Sequence, residues 1–237
     1  MTGPAASPLG DDRIWRGMAR QLEARDRRLA SGERSIGWKV GFGAPASLRR
    51  LRLPGPLIGF LTDATLLGTG AAVSIVDWVR PVAEPEIAVY IGRRLSGGAD
   101  EQRVRASIES LGAAIELADV VPEPEDVEEI LACDIFHQGL VLGRPDPGLA
   151  GGRLEGLQAQ VTVDGAPMTS TSELEALTGP LVEIVGYVAK YLVQLGCVLD
   201  AGDVLIAGSV VPPIPIQPGQ ELVYRLAPLD AISLTFA

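Results

Sequence analysis

Apolar positions along the chain fall into two rhythms. From Asp12 onward, Ile14, Trp15, Met18, Leu22 and Leu29 recur at helical spacing with Arg and Glu between them, which predicts an amphipathic helix over about residues 12–30. Residues 1–10 read as a frayed tail. SGERSIGWKVGFGAP carries a short strand ending in glycines, and PLIGFLTDATLL and AAVSIVDW, short and bounded by Gly and Pro, read as strands. AEPEIAVYIGRRL is a further strand. Val104, Ile108, Leu111 and Ile115 step by four, three and four, predicting a helix over about 100–113 that runs into a strand at AAIELADV. Pro122 and Pro124 open a short acidic helix, EDVEEILAC. LVLG and LQAQVTVDGAPM follow as strands, the second with an Asp164–Gly165 hairpin signal. Leu181, Ile184, Val185, Val188, Leu192 and Leu195 form a helix stopped by Gly196, and the C-terminus is β-structure alternating through Ile232, Leu234 and Phe236.

Strands outnumber helices about two to one and come in runs, so the pattern is α+β with a sheet-rich core. The organisation it predicts is a small helical and β annex over residues 1–60 ahead of a β-rich domain over 61–237, or one continuous domain. Apolar residues make up 47% of the chain, enough for a sizeable core, but aromatics only 5%, so Val, Ile, Leu and Ala must fill it.

Charge narrows the function. A net charge of −10 repels phosphate backbones and argues against a nucleic-acid partner. Arg49, Arg50 and Arg52 cluster near Lys39, as a solvated loop or as a local attractor for an anionic substrate. Cys133 and Cys197 form no disulfide framework and no CxxC. The start has no charged and apolar leader pattern, and the longest apolar stretch, Val204–Ile216, is broken by Gly208, Ser209 and prolines. The expectation is a soluble, cytoplasmic protein without a membrane partner.

Candidate chemistry concentrates in carboxylates. Glu84 and Glu86 flank Pro85, and on a strand residues i and i+2 share a face. Two acids on one face of a buried strand need a cation or a proton between them. Alternatively, Pro85 marks the strand start and Glu84 lies in solvent. Glu116 sits among apolar neighbours in AAIELADV and needs a partner for the same reason; Asp119, three residues on, faces away if the segment is a strand. Three carboxylates without a Cys or His cluster imply a hard, oxygen-loving ion, Mg²⁺ or Mn²⁺ before Zn²⁺. Lys39 lies in GWKVGFG, where glycines let the backbone approach a ligand. Gly41, Gly43 and Ala46 also fit G-x-G-x-x-A with Asp63 twenty residues after Gly43, but Leu48–Pro56 is too short and too basic for the crossover helix of a dinucleotide site. His137 is the sole histidine, and no nucleophile elbow is present.

The order GWKVGF, PLIGFLTD, AEPEIAVY, AAIELAD, CDIFHQGLVLG and LDAGDVLIAGSVVPPIPIQPGQ resembles the fumarylacetoacetate hydrolase superfamily, in particular its 2-keto-4-pentenoate hydratase and 4-oxalocrotonate decarboxylase branch, over about residues 14–236. The resemblance implies a β-sandwich roll with flanking helices and a Mg²⁺ (or Mn²⁺) site at Glu84, Glu86 and Glu116. It implies Lys39 and Asp63 as catalytic residues, with Lys39, Gly41, Phe42, Asp134 and Ser209 around a small 2-oxo or 2-hydroxy-dienoic acid. A homo-oligomer, with a partner decarboxylase or hydratase, belongs to the same implication. The chain departs from the family where an arginine-bearing D-S-R ending is replaced by ADVVPEPED, and where A-D-N-A-S is replaced by A-C-D-I-F. With no histidine in a motif that marks a base, hydration of a 2-hydroxy-dienoate or 2-oxo-enoate is favoured over decarboxylation and over cleavage of an acylpyruvate. In that reading Lys39 neutralises the substrate carboxylate or oxyanion, and it moves protons if burial depresses its pKa. A non-catalytic, partner-binding subunit is the reading of another class.

Overall fold

The computed structural model describes residues 10–120 and 125–237. The expected N-terminal tail, Gly10 apart, and the prolines opening the acidic helix lie outside the described residues. In chain order the elements are α1 (Asp12–Ala30), β1 (Ser35–Gly41), α2 (Pro45–Leu51), β2 (Leu57–Thr62), β3 (Leu66–Leu67), β4 (Ala71–Val73), β5 (Pro81–Ile91), α3 (Glu101–Ser107), β6 (Ile108–Asp119), α4 (Val127–Ala132), β7 (His137–Leu142), β8 (Gln158–Val163), β9 (Ala166–Thr171), α5 (Leu181–Gln194), β10 (Val204–Ser209), β11 (Ile214–Pro215), β12 (Glu221–Ala227) and β13 (Asp230–Phe236).

The strands build two sheets. The larger has the order β2-β1-β10-β5-β6-β7-β3, with β11 added to β5; the smaller has the order β4-β13-β12-β8-β9. β12 and β13 of the small sheet pack on β6 of the large one, giving the sheet-rich α+β architecture that the sequence pattern predicts. β1 runs parallel to β10, so the strands of the first sixty residues are woven into the same sheet as the C-terminal ones. The large sheet curls on itself. The backbone N–H of Phe60 on β2 donates to Asp134, in the turn just before β7, at 2.9 Å.

Local chemistry explains most boundaries. The Asp11 side chain caps α1 by accepting from the N–H of Arg13. α1 then lies over β1 and β2, with the Arg25 and Arg28 guanidinium groups over the Trp38 and Phe60 rings. The β8–β9 hairpin turns through Asp164 and Gly165, both at positive φ, as a two-residue turn between twisted strands requires.

Three expectations fail in detail. The helix expected to run to about 113 stops at Ser107, and Ile108 begins the central strand β6. β6 is buried on both faces over nearly its whole length, so it is apolar without a two-residue alternation, and its apolar spacing mimics a helix. AAVSIVDW is a strand only over Ala71–Val73, and a 3₁₀ turn at Asp63–Thr65 interrupts LTDATLL. The short helix α2, with Pro45 at its first position, enters only the Leu48–Leu51 part of the Leu48–Pro56 stretch. β1 and β2 on either side of it are antiparallel, so the segment is not a parallel dinucleotide-binding unit.

Candidate metal centre

β5 and β6 pair antiparallel at the middle of the large sheet, with Glu84 opposite Glu116, Val82 opposite Ala118 and Glu86 opposite Ala114. Side chains two apart on a strand point the same way, and the acids of both strands share one face. Carboxylate oxygens of Glu84, Glu86 and Glu116 all lie within 4.8 Å of one another. Glu84 is therefore in the strand, not in solvent ahead of it. Pro85 between the two acids has no N–H for the ladder. The register of β10 shifts here, between Ile206 and Ser209. The Val210 N–H donates to the Pro85 carbonyl at 2.9 Å. The same irregularity leaves the Gly208 N–H to donate to Glu86 Oε2 at 2.7 Å. Glu86 Oε1 is buried without a partner among the described residues.

Burial and then mutual repulsion govern these acids. Burial, followed by the Glu116 charge, pushes Glu84 up to about 7 against the relief offered by Lys39. Glu86 is raised well above the carboxylate range by burial and by its two acidic neighbours. Glu116 goes the other way: burial would raise it, but Lys39 and His137 hold it low. An unpartnered buried oxygen and three crowded carboxylates are what a hard divalent cation would satisfy, so the donor set fits such an ion.

Lys39 is fully buried. Alternation along β1 sends Trp38 toward α1 and Lys39 to the other face, where Nζ pairs with Glu116 Oε1 and donates to the Ile135 carbonyl at 3.3 Å. Gly59, opposite Lys39 on β2, has no side chain for a reason. A Cβ there would come within 2.7 Å of Asp134 Oδ1 and 2.8 Å of Lys39 Cε. Burial alone would lower the lysine pKa, but Glu116 and Asp134 raise it. The condition on which a proton-moving role for Lys39 depended, a pKa depressed by burial, is therefore not met: the neighbouring acids favour its charged form. His137, on β7, reaches Glu116 Oε1 through Nδ1 at 2.7 Å and Thr65 Oγ1 through Nε2 at 3.0 Å. Burial lowers its pKa, and both ring nitrogens are engaged.

Asp134, Ile135 and Phe136 carry φ of 49, 52 and 64° in succession. Left-handed backbone at a bulky residue costs of order 1–3 kcal/mol, and here the Phe60 N–H and Lys39 pin the turn in place. Burial pushes Asp134 up to about 7, opposed by Lys39 and the Phe60 N–H, and its Oδ2 has no partner. Above the acids opens a cavity of ≈ 320 Å³. Lys39, Gly41, Phe42, Glu84, Glu116 and Ser209 line it, with apolar walls that include Ile135, Leu177 and Val211. The Ser209 hydroxyl donates to the Val211 carbonyl at 2.6 Å and so reaches the cavity already engaged.

Not every expected residue arrives there. Asp134 lies beneath Lys39, outside the cavity wall. Asp63 is outside as well: its carboxylate pairs with Arg34 at 2.7 Å and accepts the Arg34 N–H. Arg49, Arg50 and Arg52 are exposed and do not line the cavity. Asp119 faces away from the acids and accepts the N–H groups of Val79 and Arg80. His137 is the residue that sequence reading set aside; its contact with Glu116 depends on the pairing of β6 with β7, for which the sequence carries no local signal.

A family model for the fumarylacetoacetate (FAA) hydrolase C-terminal region matches residues 40–235. Among curated proteins, the chain is 29% identical to a 2-hydroxyhexa-2,4-dienoate hydratase of Comamonas testosteroni over 88% of its own length and 81% of that protein's. It is 24% identical to a 4-oxalocrotonate decarboxylase of a Pseudomonas species over 99% and 93% of the two lengths. Among solved structures, 4-oxalocrotonate decarboxylase from Pseudomonas putida G7, complexed with magnesium and adipate, superposes with a TM-score of 0.87 at 24% identity, covering 94% of this chain and 86% of that one.

Proposed function

The chain belongs to the fumarylacetoacetate hydrolase family, and from that premise we propose that it is a metal-dependent hydratase that adds water to a 2-hydroxy-dienoate or 2-oxo-enoate. The observation that carries this reading is the trio Glu84, Glu86 and Glu116, with an orphaned Glu86 oxygen, beside a buried Lys39 at the base of a largely apolar cavity. Mg²⁺ (or Mn²⁺) is the ion of the proposal, and the magnesium in the Pseudomonas putida G7 structure supports it. When bound by the three glutamates it would supply Lewis acidity at the oxygens of a 2-oxo acid.

The chain's own residues do the rest. Lys39 holds a positive charge at the cavity base, where it neutralises the substrate carboxylate or the oxyanion that develops on the 2-oxygen as the dienol hydroxyl loses its proton and as water adds to the conjugated enone. Phe42, Ile135, Leu177 and Val211 surround the carbon chain with apolar surface and keep bulk water from it. His137 orients Glu116 and, with both nitrogens occupied, is not poised to activate water for cleavage of a C–C bond. That engagement favours hydration over hydrolysis of an acylpyruvate. A cytoplasmic homo-oligomer is part of the same proposal.

The test is to incubate the protein with 2-hydroxypenta-2,4-dienoate and its carboxylated analogue in Mg²⁺ and identify products by NMR. A hydroxy-oxo acid supports the proposal. Release of CO₂ makes the protein a decarboxylase, two carbon fragments make it a C–C hydrolase, and no turnover leaves a partner-binding subunit.

A further inference from the structure

The acids stand on a ladder that continues outward. On β5 and the residue before it, positions 86, 84, 82 and 80 share a face; on β6 and the residue after it, positions 116, 118 and 120 do. Their side chains step from Glu84 and Glu116, through Val82 and Ala118, to Arg80 and Val120, all lining the same cavity. The pairing extends to the outermost rung, where the Val120 N–H donates to the Arg80 carbonyl at 3.1 Å. One end of the cavity floor is therefore anionic with Lys39 over it, the middle is apolar, and the far end is cationic. At ~3.3 Å per residue the four steps from Glu84 to Arg80 span roughly 13 Å between Cα atoms. That span exceeds the length of a short acyclic diacid, leaving room for the ion at one carboxylate and for the Arg80 side chain at the other.

The Arg80 backbone is fixed, since its N–H donates to Asp119 Oδ1 at 2.7 Å. Asp119 is thereby turned to the backbone. Arg80 is exposed and its guanidinium makes no ion pair or hydrogen bond among the described residues; the same holds of Arg49 and Arg52, but Arg80 alone of the three lines this cavity. A guanidinium is a fork shaped for a carboxylate, and the cavity wall offers it none.

We propose that Arg80 is a specificity-determining residue that binds a second carboxylate at the far end of the substrate, so that the favoured substrate is a 2-hydroxy-dienedioate and not its monocarboxylate counterpart. This rests on the reading that the 2-oxo acid end is held at the three glutamates.

The test uses two unreactive probes, 2-oxoadipate and 2-oxohexanoate, which present the same 2-oxo-carboxylate and differ only in the distal carboxylate. Calorimetric binding to the Mg²⁺-loaded protein is compared for the wild type, Arg80→Gln and Arg80→Lys. The expected result is that the wild type prefers 2-oxoadipate by roughly five- to ten-fold. Arg80→Gln removes that preference by weakening 2-oxoadipate alone, and Arg80→Lys keeps part of it. Equal affinities in the wild type, or a preference that survives Arg80→Gln, overturn the assignment while leaving the metal centre standing. Failure of both probes to bind with Mg²⁺ present overturns the metal-centre reading and this assignment with it.

Discussion

Glu84 and Glu116 face each other across the β5–β6 pair, a position where like charges destabilise a sheet. With Glu86 beside them, the centre is a focus of repulsion until a cation enters. Saturating Mg²⁺, at about a hundred times its Kd, should therefore stabilise the fold by about 2.7 kcal/mol, a rise in Tm of roughly 5–10 °C for a chain of this size. Glu86→Gln removes one ligand oxygen and a buried acid that folding must otherwise protonate at neutral pH. Its metal-free Tm should exceed that of the wild type, and its response to Mg²⁺ should vanish in thermal-shift assays run with EDTA and with metal. A variant that keeps the full shift would show that Glu86 is not a ligand.

His137 and Lys39 converge on one oxygen of Glu116, leaving the other oxygen to the acidic cluster. Groups that orient a ligand in this way are worth about 10–100-fold in metal affinity. His137→Leu should raise the Mg²⁺ concentration needed for half-maximal activity by about that factor. His137→Asn, whose amide can stand in for Nδ1, should recover part of it. Equal losses in the two variants would mean that His137 merely fills space.

Gly59 is dictated by close approach. A methyl group there would strike Asp134 Oδ1 and Lys39 Cε, and neither can withdraw without breaking the bonds that hold it. Gly59→Ala should cost about 1–3 kcal/mol, as overpacking does, and should lower kcat more than it raises KM by tilting the lysine. Chemical denaturation and steady-state kinetics on the one variant separate the two effects.

Much of this centre was legible in the sequence because its grammar is local. E-x-E on a strand fixes two carboxylates on one face, and an acid alone in AAIELAD announces a buried partner. What escaped is what depends on pairing between distant segments. The reach of His137 to Glu116 comes from β6 lying beside β7, and the seat of Asp134 beneath Lys39 comes from the curl that brings β2 against the turn before β7. Neither leaves a pattern within a window of residues. The overextension of the helix expected over 100–113, which ends at Ser107, has another cause, since a strand buried on both faces has no alternation by which to be recognised. The catalytic role that the family resemblance implies for Asp63 has no support in its surroundings, since the 3₁₀ turn that it opens directs its carboxylate to Arg34.

Asp134 should make stability depend on pH with a definite sign. Burial raises its folded-state value to about 7 from an ordinary 3.8, so between those values the folded protein binds the proton more tightly than the unfolded chain. The stabilisation is fully present below about pH 4 and is lost as pH rises through 7. Asp134→Asn does not titrate, and its side-chain oxygen can still accept the Phe60 N–H. In EDTA, the variant should match the wild type near pH 4.5 and become the more stable of the two by pH 8, by on the order of 1–3 kcal/mol. Thermal melts at half-unit intervals across that range measure the difference. A variant that instead loses ground as pH rises would mean that Asp134 is ionised and bound to Lys39 in the native state. The turn at 134–136 would then be held by an ion pair in addition to the hydrogen bonds from Phe60 and Lys39.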